Sequence, residues 1–385
     1  MDRKDYENNL VIQSRVACDI LETVADGITY ADTVEALSDE DIAKIEKIIL
    51  TGAGDSYCAG VSTASAFELV AGIVTRAMRV VEVARFVKYE EKGYTPEQYL
   101  VIGTSVSGNV SRVREALERA NAHGANTLAA TGNNTAPVGR TAKHIIYVKL
   151  PKTDVALWPG AINYSASMIA LYNIALRIAK CRGAISEEEY ADMKKSIRDF
   201  IESYRDYLPS IEEKAFEVAQ CFNEMRSLDF IGDHSDYATA FVGSAKVLEA
   251  YGGYTTYDDS EDWNHINYFL RNPESIGRVI VANEDTPSFG RVIETANTIK
   301  QLGSPCMVVT DADEKLFPEG FFVFRTPKPK YSWLNPLMQH FCFAMVAGYI
   351  AELKGYANFR TDCPNFQQTP VQDQARIRES KIEII

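Results

Sequence analysis

Residues 99–131, YLVIGTSVSGNVSRVREALERANAHGANTLAAT, decide the predicted fold. Two short aliphatic runs, at 99–104 and 126–131, are typical of parallel strands that are buried on both faces. Between them an apolar stripe at helical spacing runs from Val110 to Ala120, with most of the charged residues on the opposite side. A strand, a crossover helix and a second strand form a right-handed βαβ unit. This stretch therefore predicts an α/β fold built on a doubly wound parallel sheet.

Further aliphatic runs complete two sets of five predicted strands, at 47–52, 78–83, 99–104, 126–131 and 144–150, and at 228–232, 254–259, 278–284, 305–311 and 321–326. An ungapped comparison of the two halves superimposes identical residues, with Arg112, Val113, Glu115, Gly124 and Thr131 on Arg291, Val292, Glu294, Gly303 and Thr310. Each half therefore repeats a helix, a glycine turn and a strand. We expect two tandem α/β domains of one type, each a five-stranded parallel sheet flanked by helices.

The expected organisation has five parts: an N-terminal helical segment (1–40), a first domain (41–184), a helical linker (185–226), a second domain (227–355) and a C-terminal tail (356–385). The linker contains two S-x-x-E sequences, at 186–189 and 210–213, which fit the capping box of a helix N-terminus. The polar tail has the composition of a disordered terminus, and a functional role would require it to fold back and close the site.

Composition excludes several classes of protein. The 385 residues carry 40 Lys and Arg against 53 Asp and Glu, a net charge of −13 that disfavours nucleic-acid or anionic-membrane binding. The seven cysteines include no CxxC pair, which favours reduced thiols over a disulfide framework or a zinc site. The N-terminus shows no signal peptide, and the longest apolar run (341–351) is short for a membrane span. We expect a cytoplasmic protein.

Two loops could carry chemistry. The first, GAGDSY at 52–57, has Tyr57 where a dinucleotide fingerprint needs glycine, which disfavours a nicotinamide cofactor. The second, TSVSGN at 104–109, places hydroxyl residues and a glycine where a strand turns into a helix. Such a turn can hold a phosphate through backbone N–H groups, hydroxyls and the helix dipole. Serine and glycine are also ordinary turn and cap residues, so the loop alone leaves both interpretations open.

The sequence resembles the sugar isomerase (SIS) domain. The resemblance lies in SVSG at 105–108 before an Ala-rich helix, HGA at 123–125, and a strand that ends in TG at 131–132. GDSY at 54–57 resembles the family's Gly-Thr-Ser-Tyr loop. Over roughly 40–385 the chain resembles the isomerase half of glucosamine-6-phosphate synthase and the related phosphosugar isomerases and fructosamine-phosphate deglycases. Because only about 40 residues precede this region, no glutaminase activity is expected.

The resemblance implies one phosphate site per chain, in the first domain. Its residues would be Gly54, Asp55, Ser56, Ser105, Ser107, Gly108, Asn109 and Ser111. The hydroxyls of Ser56, Ser105 and Ser107 would bind the phosphate. Val110 stands where the family has a threonine, and Asn109 or Ser111 could replace that ligand. The corresponding loop of the second domain, NEDTP at 283–287, is acidic and would repel a phosphate.

The resemblance also implies a catalytic set. Lys246 and Glu249 match the family's Lys-x-x-Glu, in which the glutamate moves a proton between C1 and C2 through an enediol or enediolamine and the lysine stabilises the oxygen. His265 stands at the spacing of the ring-opening histidine, which in relatives can come from the neighbouring subunit, so a homodimer is expected. The tail lysine that reaches the reacting carbons would be Lys381.

Simpler interpretations compete with these roles. A Lys-x-x-Glu on a helix is usually a surface pair, and a lone histidine is usually structural. We interpret His123, His144, His234 and His340 as structural and expect no metal site. Acidic residues at 258, 259, 261 and 262 replace part of the family's pattern around His265. They could favour a cationic amine on the substrate, or simply be a solvated run of charge.

The combined prediction is a phosphosugar isomerase that needs no cofactor and acts on a hexose 6-phosphate, with or without an amino substituent. A fructosamine-6-phosphate deglycase or an amino sugar phosphate deaminase is the alternative within enzymes, since all three share the enediol-type step. A non-catalytic phosphosugar sensor is the alternative from another class. The expected partner is a phosphorylated sugar, with neither nucleic acid nor membrane.

Overall fold

The computed structural model describes residues 2–91, 93–364 and 376–384. Contacts divide the chain into two compact units. The first unit contains residues 20–152, 163–198 and 369–385, and the second contains residues 1–19, 153–162 and 199–368. Each unit is built on one five-stranded parallel sheet. The predicted fold class, two tandem α/β domains, is confirmed.

The two sheets have the same topology. The first consists of β1 (Lys47–Gly52), β2 (Val74–Arg79), β3 (Tyr99–Thr104), β4 (Asn126–Thr131) and β5 (His144–Tyr147). The second consists of β6 (Ser227–Ile231), β7 (Thr255–Asp258), β8 (Ile276–Val281), β9 (Cys306–Thr310) and β10 (Phe322–Arg325). The strand order is β2-β1-β3-β4-β5 in the first sheet and β7-β6-β8-β9-β10 in the second. All neighbouring strands are parallel.

The α-helices of the described residues lie between and around these strands. Those in the first half of the chain are α1 (Asn9–Gly27), α2 (Tyr30–Ala36), α3 (Asp39–Lys44), α4 (Asp55–Ala71), α5 (Val80–Arg85), α6 (Ser111–Ala122), α7 (Pro137–Thr141) and α8 (Ile162–Cys181). Those that follow are α9 (Glu187–Glu202), α10 (Tyr207–Asn223), α11 (Ser235–Tyr251), α12 (Ser260–His265), α13 (Phe289–Leu302) and α14 (Pro336–Lys354).

One predicted strand is wrong. Residues 78–83 were expected to be β, but β2 ends at Arg79 and α5 begins at Val80. The Glu82 carboxylate accepts the Arg79 backbone N–H at 3.1 Å, so it closes the first turn of a helix. This local capping outweighs the strand preference of the valines at 80, 81 and 83. The other nine predicted strands overlap observed ones.

Helices α9 and α10 lie where a helical linker was predicted. The capping box at Ser186 is present, because Glu189 accepts the Ser186 N–H at 2.7 Å and donates its own N–H to the Ser186 hydroxyl at 3.2 Å. The predicted box at Ser210 is wrong. Helix α10 already begins at Tyr207, and the Ser210 hydroxyl donates to the Tyr207 carbonyl at 2.6 Å.

The most apolar helix is α14, whose residues 336–351 are all buried. It packs on α10 and α11 within the second unit, which accounts for the apolar run at 341–351 as a core helix. Within the described ranges, no helix has the length and apolar character that crossing a membrane requires.

Candidate active site

The shared topology allows the two units to be compared residue by residue. Lys47 of β1 pairs with Tyr99 of β3, and Ser227 of β6 pairs in the same way with Ile276 of β8. Helices α4 and α11 follow the first strand of their sheets after matching loops, and each has 17 residues. Equivalent positions in the two units therefore follow from the strand register and the matching helices.

The first candidate loop turns from β1 into α4. Gly54 adopts φ 56° and ψ −127°, a left-handed region that favours glycine. Asp55 begins α4, and the half-buried Ser56 lies in its first turn. The Ser56 N–H donates to the Ala53 carbonyl at 3.2 Å, which keeps the turn tight. A hydroxyl at the N-terminus of a long helix is suited to an anion, because the helix dipole is positive there.

The second candidate loop contains a buried hydroxyl. Ser105 directly follows β3, is 2 % exposed, and donates its N–H to the Ala130 carbonyl at 3.0 Å. Among the described residues, its Oγ has no hydrogen-bond partner. Gly108 has φ 69°, and a Cβ there would lie 2.6 Å from the Cβ of Ala136, so only glycine fits. A buried hydroxyl without a protein partner at a strand-to-helix turn is what a bound anion would satisfy.

The other predicted phosphate ligands differ from one another. Ser107 is exposed, and its Oγ accepts the Asn109 N–H at 3.3 Å. The Asn109 side-chain amide donates back to the Ser107 carbonyl at 3.0 Å, so Asn109 closes the loop. Ser111 is buried at the start of α6 and donates its N–H to the carbonyl of Ile377 at 3.0 Å. The tail of the same unit therefore already caps this end of α6.

Arg79 was missed by the sequence interpretation. It ends β2 directly opposite Gly52 in the strand register, and its guanidinium carbon lies 4.3 Å from the centroid of the Tyr57 ring. This cation stands beside the first candidate loop and adds positive charge there. A strand correctly predicted to end at Arg79 would have revealed it, because the carboxyl ends of parallel strands meet at one edge of the sheet.

In the second unit, Lys246 and Glu249 form a close pair. The Lys246 Nζ lies 2.6 Å from the Glu249 Oε2, the Lys246 side chain is fully buried, and the Glu249 side chain is 29 % exposed. The pair is therefore not an ordinary surface ion pair. The lysine lies in the interior, while the carboxylate reaches solvent and could meet a substrate.

His340 on α14 was interpreted as structural, and the structure places it beside this pair. It is fully buried, and burial together with the positive charge of Lys246 lowers its pKa to about 3. The imidazole is therefore neutral near Lys246 at ordinary pH. No sequence motif distinguishes this histidine, because it approaches Lys246 only when α14 packs on α11.

His265 is the last residue of α12. Its side chain is 71 % exposed, and its Nε2 lies 3.1 Å from the Oε1 of Glu261. Asp259 is the N-cap of the same helix and accepts the N–H groups of Glu261 and Asp262 at 2.9 and 2.8 Å. Part of the acidic run is therefore structural. Burial, followed by neighbouring carboxylates, raises the pKa of Asp258.

Lys381 lies in the described part of the tail, which packs on the first unit. Its side chain is 83 % exposed, and its Nζ lies 2.5 Å from the Oε1 of Glu383. Glu383 also binds Arg85 at 2.7 Å and donates its N–H to Glu115 at 2.9 Å. Hydrogen bonds from Lys381 and Arg85 lower the pKa of the Glu383 carboxyl to about 2. These contacts anchor the tail to α5 and α6 and leave the Lys381 side chain at the surface.

The second unit has an internal carboxylate where the first unit has Ser56. The buried Asp236 accepts hydrogen bonds from the Asn283 N–H at 3.2 Å, the Asn283 side-chain amide at 2.7 Å and the Thr286 hydroxyl at 3.3 Å. Burial raises the pKa of Asp236 to about 7. His234 takes the backbone conformation of Gly54, with φ 54° and ψ −117°. The donors that a phosphate would need are already engaged by the protein.

Comparisons with known proteins agree with this fold. A sequence profile described as the SIS domain matches residues 41–177. The isomerizing glutamine–fructose-6-phosphate aminotransferase of Xylella fastidiosa (strain Temecula1) is 24 % identical over 347 residues, which cover 89 % of this chain and 55 % of that protein. The chain spans about half the length of the curated relatives that it matches.

Two solved structures share the fold. The C-terminal domain of glucosamine-fructose-6-phosphate aminotransferase from Francisella tularensis has a TM-score of 0.77 at 14 % identity, covering 92 % of this chain and 98 % of that one. Tagatose-6-phosphate ketose/aldose isomerase from Escherichia coli has a TM-score of 0.68 at 17 % identity, covering 91 % and 93 %. Residues 41–177 therefore match the SIS domain profile, and the chain as a whole shares its fold with these two solved structures.

Proposed function

We propose that this chain is a phosphosugar isomerase that acts on a hexose 6-phosphate, with or without an amino substituent, by proton transfer between C1 and C2. The buried Lys246–Glu249 pair carries the proposal. The equivalent positions on α4 are Ala66, which is buried, and Leu69, which is exposed, so the scaffold does not require charges there. A buried ammonium beside a partly exposed carboxylate suits proton transfer next to a carbonyl.

The phosphate would bind in the first unit. The unpartnered Oγ of Ser105 would donate to a phosphate oxygen, and Ser56 and Ser107 would add hydroxyls at the two loops. The N-termini of α4 and α6 contribute positive dipole ends, and Arg79 attracts the anion towards them. The second unit would take no phosphate, because Asp236 occupies the equivalent loop donors.

In the proposed reaction, His265 passes a proton between the ring oxygen and O1 and so opens the sugar ring. Its exposed side chain can serve a site in its own chain or in a partner subunit, and we propose a homodimer. Glu249 then removes the proton from one of C1 and C2 and returns it to the other. Lys246 stabilises the enediolate oxygen, and its burial strengthens this effect, since few water molecules screen the charge. Lys381 would assist only after it exchanges its bond with Glu383.

A fructosamine-6-phosphate deglycase or an amino sugar phosphate deaminase is the second candidate. The carboxylates of Asp258, Asp259 and Asp262 lie within 4.8 Å of one another, close in sequence to His265, and could attract a cationic amine. Both reactions pass through an enediolamine and would use the same glutamate. The residues that carry the proposal therefore do not separate isomerisation from C–N cleavage, and a product analysis does.

Solvent exchange tests the proposal whichever product is formed. The protein is incubated in D₂O with fructose 6-phosphate, glucosamine 6-phosphate or a fructosamine 6-phosphate, and the C1 and C2 protons are followed by NMR. We expect deuterium at C1 or C2 with one of these sugars, and released ammonia or amine would identify C–N cleavage. Binding of a sugar with no exchange at either carbon would contradict catalysis and favour the phosphosugar sensor.

A further inference from the structure

A buried cluster of charge lies in the core of the second unit. Arg278 of β8 forms an ion pair with Asp229 of β6, and both side chains are almost completely buried. The fully buried Trp263 of α12 donates its Nε1–H to the Asp229 Oδ2 at 2.5 Å. The Arg278 guanidinium carbon also lies 5.1 Å from the centroid of the Trp263 ring.

The first unit shows that the fold does not need this cluster. The strand register places Ile49 at the position of Asp229, and Val101 at that of Arg278. Both residues belong to a buried apolar core, in which the helix α5 contributes Val83. Burying an ion pair removes two charges from water, and apolar residues of similar size commonly stabilise a core as well or better. The charges in the second unit therefore call for an explanation other than stability.

Asp229 fixes α12 through hydrogen bonds. Besides Trp263, it accepts hydrogen bonds from the Thr256 hydroxyl and, at 3.3 Å, from the side-chain amide of Asn267, which lies two residues beyond His265. The carboxylate thus binds a residue inside α12 and a residue just after it. A six-residue helix has little stability of its own, so its place depends on such contacts.

Two further contacts fix the same helix from its sides. Asp233 accepts the Ser260 N–H at 2.7 Å and the Ser260 hydroxyl at 2.8 Å, where α12 begins. The Asn264 amide donates to the Thr295 hydroxyl of α13 at 2.7 Å. Asp229 binds on both sides of His265, at Trp263 two residues before it and at Asn267 two residues after it.

We propose that Asp229, held in place by Arg278, is a positioning residue that fixes α12 and thereby the orientation of His265. The expected effect on catalysis rests on the proposed function, in which His265 opens the sugar ring. The claim that Asp229 holds residues 260–267 in one conformation does not rest on that function. Arg278 forms an ion pair with Asp229 and so fixes the carboxylate where both of its oxygens accept hydrogen bonds from the α12 region.

The first unit supplies the test variant. The double substitution Asp229→Ile, Arg278→Val copies Ile49 and Val101, and it removes both charges together, so that no unpaired charge is left buried. We expect the variant to stay folded, while amide hydrogen exchange in residues 260–267 accelerates at least tenfold. With the substrate identified by solvent exchange, kcat should fall on the order of 10- to 100-fold with KM within about twofold, because His265 is misplaced while the phosphate loops are unchanged. Trp263→Phe, which keeps an aromatic ring but loses the N–H donor, should show smaller changes in the same direction.

Unchanged hydrogen exchange in 260–267 of the folded double variant would overturn the proposal. So would wild-type kcat in that variant if His265→Asn is inactive. The activity of His265→Asn separates the proposed ordering of α12 by Asp229 from the proposed function. A fully active His265→Asn would contradict the ring-opening role of His265. Hydrogen exchange would then still decide whether Asp229 orders α12.

Discussion

The two units are built on one topology but carry opposite chemistry at the same positions. In the first turn of α4 the first unit has Ser56. At the equivalent position of α11 the second unit has Asp236, whose carboxyl group accepts the hydrogen bonds of the loop donors. At the carboxyl end of its edge strand the first unit has the cation Arg79, whereas the edge strand of the second unit ends in the acid Asp258 and is followed by Asp259. The first unit therefore fits the proposed phosphate site, whereas in the second unit the carboxyl group of Asp236 already occupies the loop donors.

The interiors differ as well. The first unit has apolar residues at Ile49 and Ala66, where the second has the buried charges Asp229 and Lys246. Comparing equivalent positions of the two units thus shows which buried charges this fold does not require. Those charges are the best candidates for function, because a buried ion pair commonly stabilises a core no better than apolar residues of similar size do.

The largest expected effect is on turnover, and it distinguishes equivalent positions of α11 and α4. Glu249→Gln should lower turnover by about 10²- to 10⁴-fold, because the amide cannot accept the substrate proton, and should leave phosphosugar binding nearly unchanged. Leu69→Gln makes the same side chain at the equivalent exposed position of α4 and should leave turnover at the wild-type level. Steady-state kinetics with a parallel binding measurement checks both. An active Glu249→Gln variant would remove the glutamate from the mechanism.

The titration of Asp236 should make the stability of the folded state depend on pH, an effect that its counterpart Ser56 cannot produce. Its folded-state pKa of about 7 lies above the value of about 3.9 expected when unfolded, so between these values the folded state holds a proton that the unfolded state releases. Stability is therefore lost as pH rises from about 4 to about 7. Relative to Asp236→Asn, the wild type should lose about 2 kcal/mol more between pH 5 and pH 7.

This loss can be measured by urea unfolding followed through tryptophan fluorescence. All three tryptophans, Trp158, Trp263 and Trp333, belong to the second unit, so the signal reports on the unit that contains Asp236. Other titrating groups are common to both proteins and cancel in the difference. Equal pH slopes for wild type and Asp236→Asn would show that Asp236 does not titrate in this range.

The repeated Arg–Glu pair offers a further contrast. Glu115 is fully buried between Arg85 and Arg112 and accepts the Glu383 N–H of the tail, whereas the equivalent Glu294 is exposed on α13. Glu115→Ala should cost about 3 kcal/mol of stability, because it removes a buried carboxylate that pairs with two arginines and leaves Arg112 without its carboxylate partner. Glu294→Ala should cost less than about 0.5 kcal/mol. Urea unfolding followed by circular dichroism measures both, and equal losses would contradict the difference in burial.

The last contrast concerns the buried hydroxyl of Ser105. Ser105→Ala should weaken inorganic phosphate binding by roughly 10- to 100-fold, the loss expected for one hydrogen bond to a charged group. Ala282→Ser introduces the hydroxyl at the equivalent position of the second unit and should create no phosphate site there, because Asp236 already engages the loop. Isothermal titration gives both the affinity and the number of sites. A second site in Ala282→Ser would refute the asymmetry of the two units.

Much of the fold was predictable because its signals are local. Buried parallel strands appear as short aliphatic runs, and nine of the ten predicted strands overlap an observed strand over most of their length. The helix cap at Ser186 depends on residues three apart and was found, whereas the cap at Ser210 and the strand at 78–83 were wrong. In both failures the helix begins at a different residue from the one that the sequence pattern indicated.

The site was predictable as a list of residues but not as an arrangement. The motifs named the Ser105 loop and the Lys246–Glu249 pair, yet no motif marked Arg79 or showed that His340, interpreted as structural, lies near Lys246. Arg79 depended on the exact end of one strand. His340 depended on the packing of α14 against α11, which no short pattern encodes.

The sequence by itself determined the α/β class, the duplication and the loops that could bind a phosphate, since these follow from periodicity and short-range spacing. Only the tertiary structure decided which charges are buried and with what they pair. Asp229 of β6 meets Arg278 of the neighbouring strand β8, and Asp236 of α11 meets Asn283 just after β8, although the partners are far apart in the chain. Such pairs are stable only where the surrounding core excludes water, a property of the packed fold that no single segment contains.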